Sequence, residues 1–212
     1  MNVIGIVAGG PKEGLPPLHN YPIDLWIGAD RGALRLCEQD ISPDLSIGDF
    51  DSVNDTELKR IESKSKHITY YQQEKDETDL ELAIENAIKF NPRCIYIFGA
   101  TGGRMDHEIS HILLLKSITD QGIDAWICNE QNEITVKSPG HHQLVRDDSF
   151  KYVSFIPLSP VVSDITIKGF LYELVDHELH WGSTLTVSNE WKEKIGTYLF
   201  SEGILIVVKS RD

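Results

Sequence analysis

The segment Leu45-Ser46-Ile47-Gly48-Asp49-Phe50-Asp51-Ser52 joins a short apolar run to two carboxylates. The apolar part predicts a buried strand, and Asp49 and Asp51 follow where that strand ends. In open α/β sheets, ligands bind at the carboxyl ends of the strands. Mg²⁺ binds one or two carboxylates and takes further ligands from water and substrate phosphates. The segment therefore indicates an α/β protein with phosphoryl chemistry.

Apolar runs alternate with helical patterns along the first 130 residues. The predicted strands are Val3–Val7, Leu25–Ile27, Leu45–Ile47, Ile68–Tyr71, Cys94–Phe98 and Ala125–Cys128. The predicted helices lie near Gly32–Gln39, Asp55–Lys64, Asp79–Phe90 and Asp106–Thr119. This alternation predicts βα units on a largely parallel sheet.

The helical signal disappears after residue 130, and short β-rich segments separated by turn residues follow. The predicted strands are Glu133–Lys137, Tyr152–Pro157, Ile165–Ile167, Thr184–Val187, Thr197–Phe200 and Ile204–Val208. Several short strands at close spacing indicate an antiparallel sandwich. The sequence thus predicts an α/β domain over residues 1–130 and an all-β sandwich domain over residues 131–212.

Composition restricts the partners of the chain. Its 212 residues carry a net charge of −13, whereas binding to a nucleic-acid backbone relies on clustered Lys and Arg. No apolar segment approaches membrane-spanning length. The three cysteines lie far apart without a C-x-x-C pair, which is typical of buried thiols in a reducing compartment. We expect a cytoplasmic protein that binds neither nucleic acid nor membrane.

Further carboxylates are expected to meet Asp49 and Asp51. Asp30 follows the predicted strand Leu25–Ile27, so it is expected at the same edge of the sheet. The structural alternative for residues 48–52 is an Asx-type turn, in which the side chains of Asp and Ser form hydrogen bonds to the neighbouring backbone. Convergence of the three aspartates at one edge favours a metal site.

The segment Lys75-Asp76-Glu77-Thr78-Asp79 opens a predicted helix. Thr78 and Glu81 fit a capping box, which leaves Asp79 available to a metal ion. A helix N-terminus favours phosphate through its exposed N–H groups, and Lys75 would add a point charge. Capping and phosphate binding can coexist in this segment.

A glycine-rich loop, residues 99–106, leads from a predicted strand into a helix. Glycines let backbone amides approach an anion closely. Arg104 offers a rigid fork of donors for phosphate. The loop lacks the Lys-Ser/Thr ending of a P-loop, so the motif by itself is weak.

A competing signal follows at once, because His107-Glu108-Ile109-Ser110-His111 matches the zinc-protease pattern H-E-x-x-H. In that interpretation the two histidines bind Zn²⁺ and Glu108 is the base of a metallohydrolase. Against it, Ile109, Ile112 and Leu113 are expected to pack inward, leaving both histidines exposed or at the rim of a site. The zinc hydrolase is the alternative to phosphoryl chemistry.

Taken in order, five motifs resemble the thiamine pyrophosphokinase family. They are Gly28-Ala29-Asp30-Arg31-Gly32-Ala33, Gly48–Ser52, Lys75–Asp79, Gly102–His107 and Gly182-Ser183-Thr184-Leu185-Thr186-Val187-Ser188-Asn189. The resemblance implies an α/β nucleotide domain, a C-terminal β-sandwich and a homodimer. It also implies transfer of the β,γ-diphosphate of ATP to the hydroxyl of thiamine, with release of AMP.

The resemblance also implies roles for individual residues. Asp49, Asp51 and Asp79 resemble the Mg²⁺-binding aspartates of the family, and with Arg104 they form the expected catalytic set. Lys75 and Thr78 fall on ATP-contacting positions of the family, and Ser188 and Asn189 fall in its thiamine-binding segment with Thr186 beside them. Asp30, Asp106 and Trp191 are expected as further binding residues. The acceptor of the hydroxyl proton stays open, with an aspartate near the metal as the candidate.

Aromatic rings attract the cationic thiazolium of thiamine, so Trp181 and Tyr172 join Trp191 as candidate stacking partners. A second alternative is a non-catalytic module that senses nucleotide or thiamine. Such a module would keep the pockets but would not need three metal-binding carboxylates.

Overall fold

The computed structural model describes residues 2–72, 74 and 76–212, and the chain divides into two compact units, Met1–Glu130 and Gln131–Asp212. Lys75, an expected ATP contact, lies outside the described residues. Among the residues described, no helix is both long and apolar enough to cross a membrane.

The first unit contains a parallel sheet with helices between its strands. The strands are β1 (Val3–Val7), β2 (Leu25–Ala29), β3 (Leu45–Gly48), β4 (His67–Tyr70), β5 (Cys94–Phe98) and β6 (Asp124–Cys128). The helices are α1 (Arg31–Glu38), α2 (Asp55–Lys64), α3 (Asp79–Ile88) and α4 (Met105–Thr119). The strands lie in the order β6-β5-β1-β2-β3-β4, and every pair is parallel. The predicted parallel α/β architecture is confirmed.

Strand β1 is the point where the order of the sheet reverses. It pairs with β2 on one side and with β5 on the other. All five residues of β1 are buried, as is typical of a strand covered on both faces. Ligands of open α/β sheets bind beyond the carboxyl ends of the strands at such a reversal. The topology therefore directs attention to the loops that follow β1, β2 and β5.

Close backbone contacts fix the start of α1 against the sheet. A Cβ atom on Gly32 would lie 1.8 Å from the carbonyl oxygen of Val7, and one on Gly28 would lie 2.4 Å from Cα of Ala33. Real Cβ atoms do not approach other atoms this closely, so only glycine fits these two positions. The contacts hold the β2–α1 turn, and Asp30 within it, close to the end of β1.

The second unit consists of two antiparallel sheets. Its strands are β7 (Asn132–Lys137), β8 (Gly140–Val145), β9 (Tyr152–Pro157), β10 (Val161–Lys168), β11 (Leu174–His180), β12 (Asn189–Glu190), β13 (Ile195–Phe200) and β14 (Leu205–Ser210). Within the unit the orders are β12-β9-β14-β7 and β11-β10-β13-β8. The ring of Phe155 on β9 lies 5.1 Å from that of Tyr198 on β13, so the two sheets pack face to face. The predicted sandwich is confirmed.

Two details of the predicted sandwich are wrong. Residues 184–187 form a turn rather than a strand, because the N–H of Val187 donates to the carbonyl oxygen of Thr184. The strand β8 is also absent from the prediction, and in it the ring of His142 stacks on Tyr198 at 5.0 Å. Polar strands such as β8 and β11 lack the apolar signal on which the prediction relied.

Candidate metal and nucleotide site

A cleft of about 540 Å³ opens in the first unit beside the reversal point of the sheet. Its walls come from the loop after β1, the turn after β2, the glycine-rich loop after β5, and the first turns of α3 and α4. The carboxyl ends of neighbouring parallel strands meet here, so distant segments of sequence contribute to one concavity.

Asp30 lies in this cleft in a strained backbone conformation, with φ of 50° and ψ of −123°. The hydroxyl of Ser52 donates to its Oδ2 at 2.5 Å. Its Oδ1 is buried and has no hydrogen-bond partner among the described residues. Burying a carboxylate oxygen without a partner is costly. The unpaired Oδ1 of Asp30 therefore indicates a position at which a cation could bind.

Asp49 and Asp51 lie on either side of an anchored aromatic ring. Phe50, only 4% exposed, packs with Ala33 and Ile61 although its φ of 58° is unusual for a non-glycine residue. The N–H of Asp51 donates to Oδ1 of Asp49 at 3.1 Å. Burial of the ring fixes the loop and leaves both carboxylates at the end of β3.

The structure brings Asp30, Asp49 and Asp51 together. One carboxylate oxygen from each lies within 4.8 Å of the other two, and among the described residues these three form the group able to hold a metal ion. Like charges this close repel one another unless a proton or a cation intervenes. Oxygen ligands favour hard cations such as Mg²⁺ over zinc.

Asp79 lies on the cleft wall as the first residue of α3. Thr78 precedes it as N-cap, and its Oγ1 accepts a hydrogen bond from the N–H of Glu81 at 3.2 Å. The tight cluster contains the three aspartates that follow strands, Asp30, Asp49 and Asp51, whereas Asp79, which the family resemblance added to the metal set, is not a member of it. Asp79 thus faces the same cleft from another element.

Arg104 and Asp106 form an exposed bidentate pair at the entrance to α4. Nη2 and Nε of Arg104 donate to the two carboxylate oxygens of Asp106 at 2.6 and 3.1 Å. Hydrogen bonds from Arg104 lower the pKa of Asp106 to about 2. Arg104 also lines the cleft. Its guanidinium is therefore present beside the cleft, held by a neighbouring carboxylate.

The contacts of the H-E-x-x-H segment do not support the alternative of a zinc hydrolase. Oε1 of Glu108 accepts hydrogen bonds from the N–H groups of Gly102 and Gly103, each at 2.9 Å. Nδ1 of His111 donates to the carbonyl oxygen of Ala100 at 2.8 Å. Both side chains are committed to the glycine-rich loop, so Glu108 is not placed as a base.

The prediction that Ile109, Ile112 and Leu113 form the buried face of α4 is also wrong. Ile109 and Leu113 are 53% and 48% exposed, whereas the buried residues are His111, Leu115 and Ile118. The sequence assigned the core to the most apolar stripe. In the structure α4 instead directs His111 towards the glycine-rich loop, because the carbonyl oxygen of Ala100 supplies a hydrogen-bond partner for its buried ring.

Two supports of the cleft were missed from the sequence. Ser52 bonds Asp30 through its hydroxyl, and its carbonyl oxygen accepts a hydrogen bond from Nε of Arg31 at 3.1 Å. Arg31 also lies 3.8 Å from the carboxylate of Glu57. Ser52 ends the acidic motif and Arg31 follows Asp30, so adjacency to the aspartates was the available signal.

In the second unit, the residues expected to contact thiamine divide into buried and exposed groups. Thr186 and Asn189 are buried, and the hydroxyl of Thr186 donates to the carbonyl oxygen of Phe155. The side chain of Asn189 accepts from the N–H of Tyr172 at 2.9 Å and donates to its carbonyl oxygen at 2.7 Å. Both residues therefore hold backbone in place. Ser188 is exposed, at a φ of 58°.

The three candidate stacking partners also divide into a packed side chain and exposed ones. Nε1 of Trp191 donates to the carbonyl oxygen of Phe150 at 3.0 Å, and its ring lies 5.0 Å from that of Phe170. Trp181 and Tyr172, in contrast, are 73% and 65% exposed. The exposed rings are the ones with faces open to a ligand.

The fold and the cleft define an α/β protein with a cluster of carboxylates able to hold a cation beside a glycine-rich loop, followed by a β-sandwich. Residues 20–127 match the family described as Thiamin pyrophosphokinase, catalytic domain, and residues 141–205 match Thiamin pyrophosphokinase, vitamin B1 binding domain. The chain belongs to the thiamine pyrophosphokinase family.

Similar proteins match over the full length. The thiamine pyrophosphokinase of Bacillus subtilis is 42% identical over 214 residues, which cover 100% of each chain. A crystal structure of the Bacillus subtilis protein superposes with a TM-score of 0.94 at 40% identity, covering 99% of both chains. The thiamin pyrophosphokinase of Geobacillus thermodenitrificans gives 0.91 at 39% identity, with coverage of 99% of this chain and 98% of the other.

The buried His111 makes stability depend on pH. Burial lowers its pKa from 6.5, so the unfolded chain binds this proton more readily than the folded one. Stability therefore falls as the pH drops below about 6.5 towards the lowered pKa of the folded state. In His111→Asn, an amide N–H remains for Ala100 but cannot titrate. We expect this variant to lose that part of the pH dependence in urea unfolding. Equal pH slopes in the two proteins would contradict the assignment.

Proposed function

We propose that the protein transfers the β,γ-diphosphate of ATP to the hydroxyl of thiamine, giving thiamine diphosphate and AMP. The observation that carries this proposal is the convergence of Asp30, Asp49 and Asp51 in a unit that matches the family's catalytic domain, with Asp30 and Asp49 lining the cleft. A sensing module would not need such a cluster. The commitment of Glu108 to two backbone N–H groups weighs against the zinc hydrolase, because Glu108 would be its base.

Mg²⁺ is the cofactor that these residues fit. Asp30, Asp49 and Asp51 offer oxygen ligands within 4.8 Å of one another, and the buried Oδ1 of Asp30 lacks a partner among the described residues. Asp79 faces the same cleft and is proposed as a further ligand. When bound, Mg²⁺ supplies charge neutralisation to phosphate oxygens, which dominates phosphoryl-type transfer.

The remaining cleft residues are proposed to orient the phosphates of ATP. Thr78 caps α3, whose N-terminal N–H groups favour an anion. Among the described residues the ion-pair partner of Arg104 is the exposed Asp106, and exposed ion pairs contribute little, so a phosphate can replace the carboxylate. Before ATP binds, Asp106 holds the guanidinium beside the cleft. Lys75 is retained as an ATP contact on the resemblance alone.

The same cleft contains the candidates for proton acceptor. The thiamine hydroxyl must lose its proton as it attacks the β-phosphorus of ATP. We assign this proton to an aspartate of the metal cluster, because the carboxylates are the basic groups beside the phosphates. Arg104 is proposed to stabilise the charge that develops towards AMP.

The second unit is proposed to bind thiamine. Tyr172 and Trp181 present exposed aromatic faces, which attract a cationic thiazolium, and Ser188 presents an exposed hydroxyl. Asn189 and Thr186 are proposed to act through the backbone that they hold. Trp191, packed on Phe170, is proposed to stiffen this segment rather than to stack on the ligand.

A homodimer in the cytoplasm completes the proposal. Met105, Ile109 and Leu113 are spaced four residues apart along one exposed face of α4, and such apolar faces are typical of surfaces that another copy covers. All three cysteines are buried thiols, which fits a reducing compartment.

The activity is tested by incubating the protein with ATP, Mg²⁺ and thiamine and measuring AMP and thiamine diphosphate. We expect equal amounts of both products, and none after chelation of Mg²⁺. In Asp79→Asn we expect a loss of about a hundredfold in kcat or more, as on removal of a key electrostatic contact.

Asp55→Asn is the matched control, since Asp55 is the corresponding first residue of α2 and is exposed outside the cleft. It should retain wild-type turnover. ATP-dependent release of AMP without thiamine diphosphate, or none at all, would refute the proposed reaction. Activity of Asp79→Asn within a few-fold of wild type would remove Asp79 from the site.

The thiamine segment is tested with Asn189→Ala. Removing the amide frees the backbone of Tyr172, so we expect KM for thiamine to rise about tenfold, the usual effect of leaving buried polar groups unpaired. KM for ATP serves as the internal control and should stay unchanged. A parallel rise in both constants would point to general loss of structure.

The dimer is tested by light scattering coupled to size exclusion. We expect a mass of twice 23.9 kDa. In Leu113→Glu a charge replaces one member of the apolar face, and we expect dissociation with retained circular dichroism. A wild-type mass of 23.9 kDa would contradict the homodimer.

A further inference from the structure

The glycine-rich loop binds a carboxylate of the protein itself, that of Glu108. The N–H groups of Gly102 and Gly103 converge on Oε1 of Glu108, both at 2.9 Å. Two successive amides that point at one oxygen form the kind of concavity that binds phosphate in other proteins. In this chain a carboxylate occupies it, so these two N–H groups are not available to the phosphates of ATP.

The rest of the loop depends on a few other contacts. Nδ1 of His111 holds the carbonyl oxygen of Ala100 at 2.8 Å, and Nδ2 of Asn129 donates to the hydroxyl of Thr101 at 2.8 Å. Gly102 and Gly103 themselves are exposed, and around their Cα atoms only the ring of Pro11 comes near, 3.7 Å from an added Cβ. Glu108 is therefore the side chain that fixes the far end of the loop.

We propose that Glu108 is a positioning residue for the nucleotide, an inference that rests on the proposed function. By fastening Gly102 and Gly103 to the first turn of α4, it places Thr101, Gly103 and Arg104 along the cleft wall. The phosphates then meet the side chain of Arg104 rather than the two amides. His111, one turn further along the helix, secures the near end of the loop in the same way.

The experiment compares Glu108→Ala and Glu108→Gln with the wild type. The glutamine carbonyl oxygen can accept the same two hydrogen bonds, whereas alanine leaves both amides without an acceptor. We expect Glu108→Ala to raise KM and Kd for ATP about tenfold, because the loop conformation that presents Arg104 to the phosphates is then populated only part of the time. KM for thiamine should change less than about twofold, and Glu108→Gln should restore most of the ATP affinity.

Glu85→Ala is the matched control, because it removes the same charge from an exposed position on α3 that does not line the cleft. It should leave both KM values unchanged. Hydrogen exchange of residues 99–104 gives a readout independent of turnover. We expect faster exchange in Glu108→Ala, and wild-type exchange in Glu108→Gln and Glu85→Ala.

Two results would overturn the inference. One is unchanged ATP affinity in a folded Glu108→Ala protein. The other is a Glu108→Gln protein that binds ATP as weakly as Glu108→Ala, which would assign the effect to the charge of Glu108. If Glu108→Ala does not fold, Glu108→Leu, which keeps most of the side-chain volume but offers no acceptor, replaces it under the same criterion. Absence of thiamine diphosphate from the wild type would instead refute the proposed function, and ATP binding with hydrogen exchange would still decide the role of Glu108.

Discussion

Repulsion among three carboxylates is the constraint around which the first unit is arranged. Asp30, Asp49 and Asp51 place oxygens within 4.8 Å of one another, which is unfavourable without a cation. The scaffold must therefore hold them against that repulsion. It does so with buried anchors: Phe50 in the core between two of the aspartates, and the hydroxyl of Ser52 on the third. Local strain is part of the same arrangement, since Asp30 and Phe50 both have positive φ.

The scaffold achieves this through the reversal of strand order at β1. A central strand buried on both faces sets the loops after β1, β2 and β5 at a common edge. The glycine contacts between α1 and β1 leave no space for side chains at this point. Close packing beneath the cleft and carboxylates at the strand ends above it are thus consequences of one topology.

The H-E-x-x-H segment shows how context decides the chemistry of a motif. Histidines at positions i and i+4 with a glutamate between them suit a zinc centre when the helix exposes that face to an open cavity. Here the helix follows a glycine-rich loop whose backbone groups need partners, and Glu108 and His111 supply them. The same residue types that could bind a metal instead organise a loop.

The sequence by itself determined the parallel α/β unit, the β-rich second unit and the family, because these depend on hydrophobic periodicity and on motifs that are contiguous in the chain. It also predicted that Asp30, Asp49 and Asp51 would meet, since they follow strands whose ends share an edge. Only the tertiary structure decided that Asp79 stands apart from this cluster, and that Asn189 and Thr186 hold backbone while Tyr172 and Trp181 are exposed. It likewise reversed the buried face of α4. These outcomes depend on which partner a polar group finds across the fold, and that information lies in contacts between residues far apart in sequence.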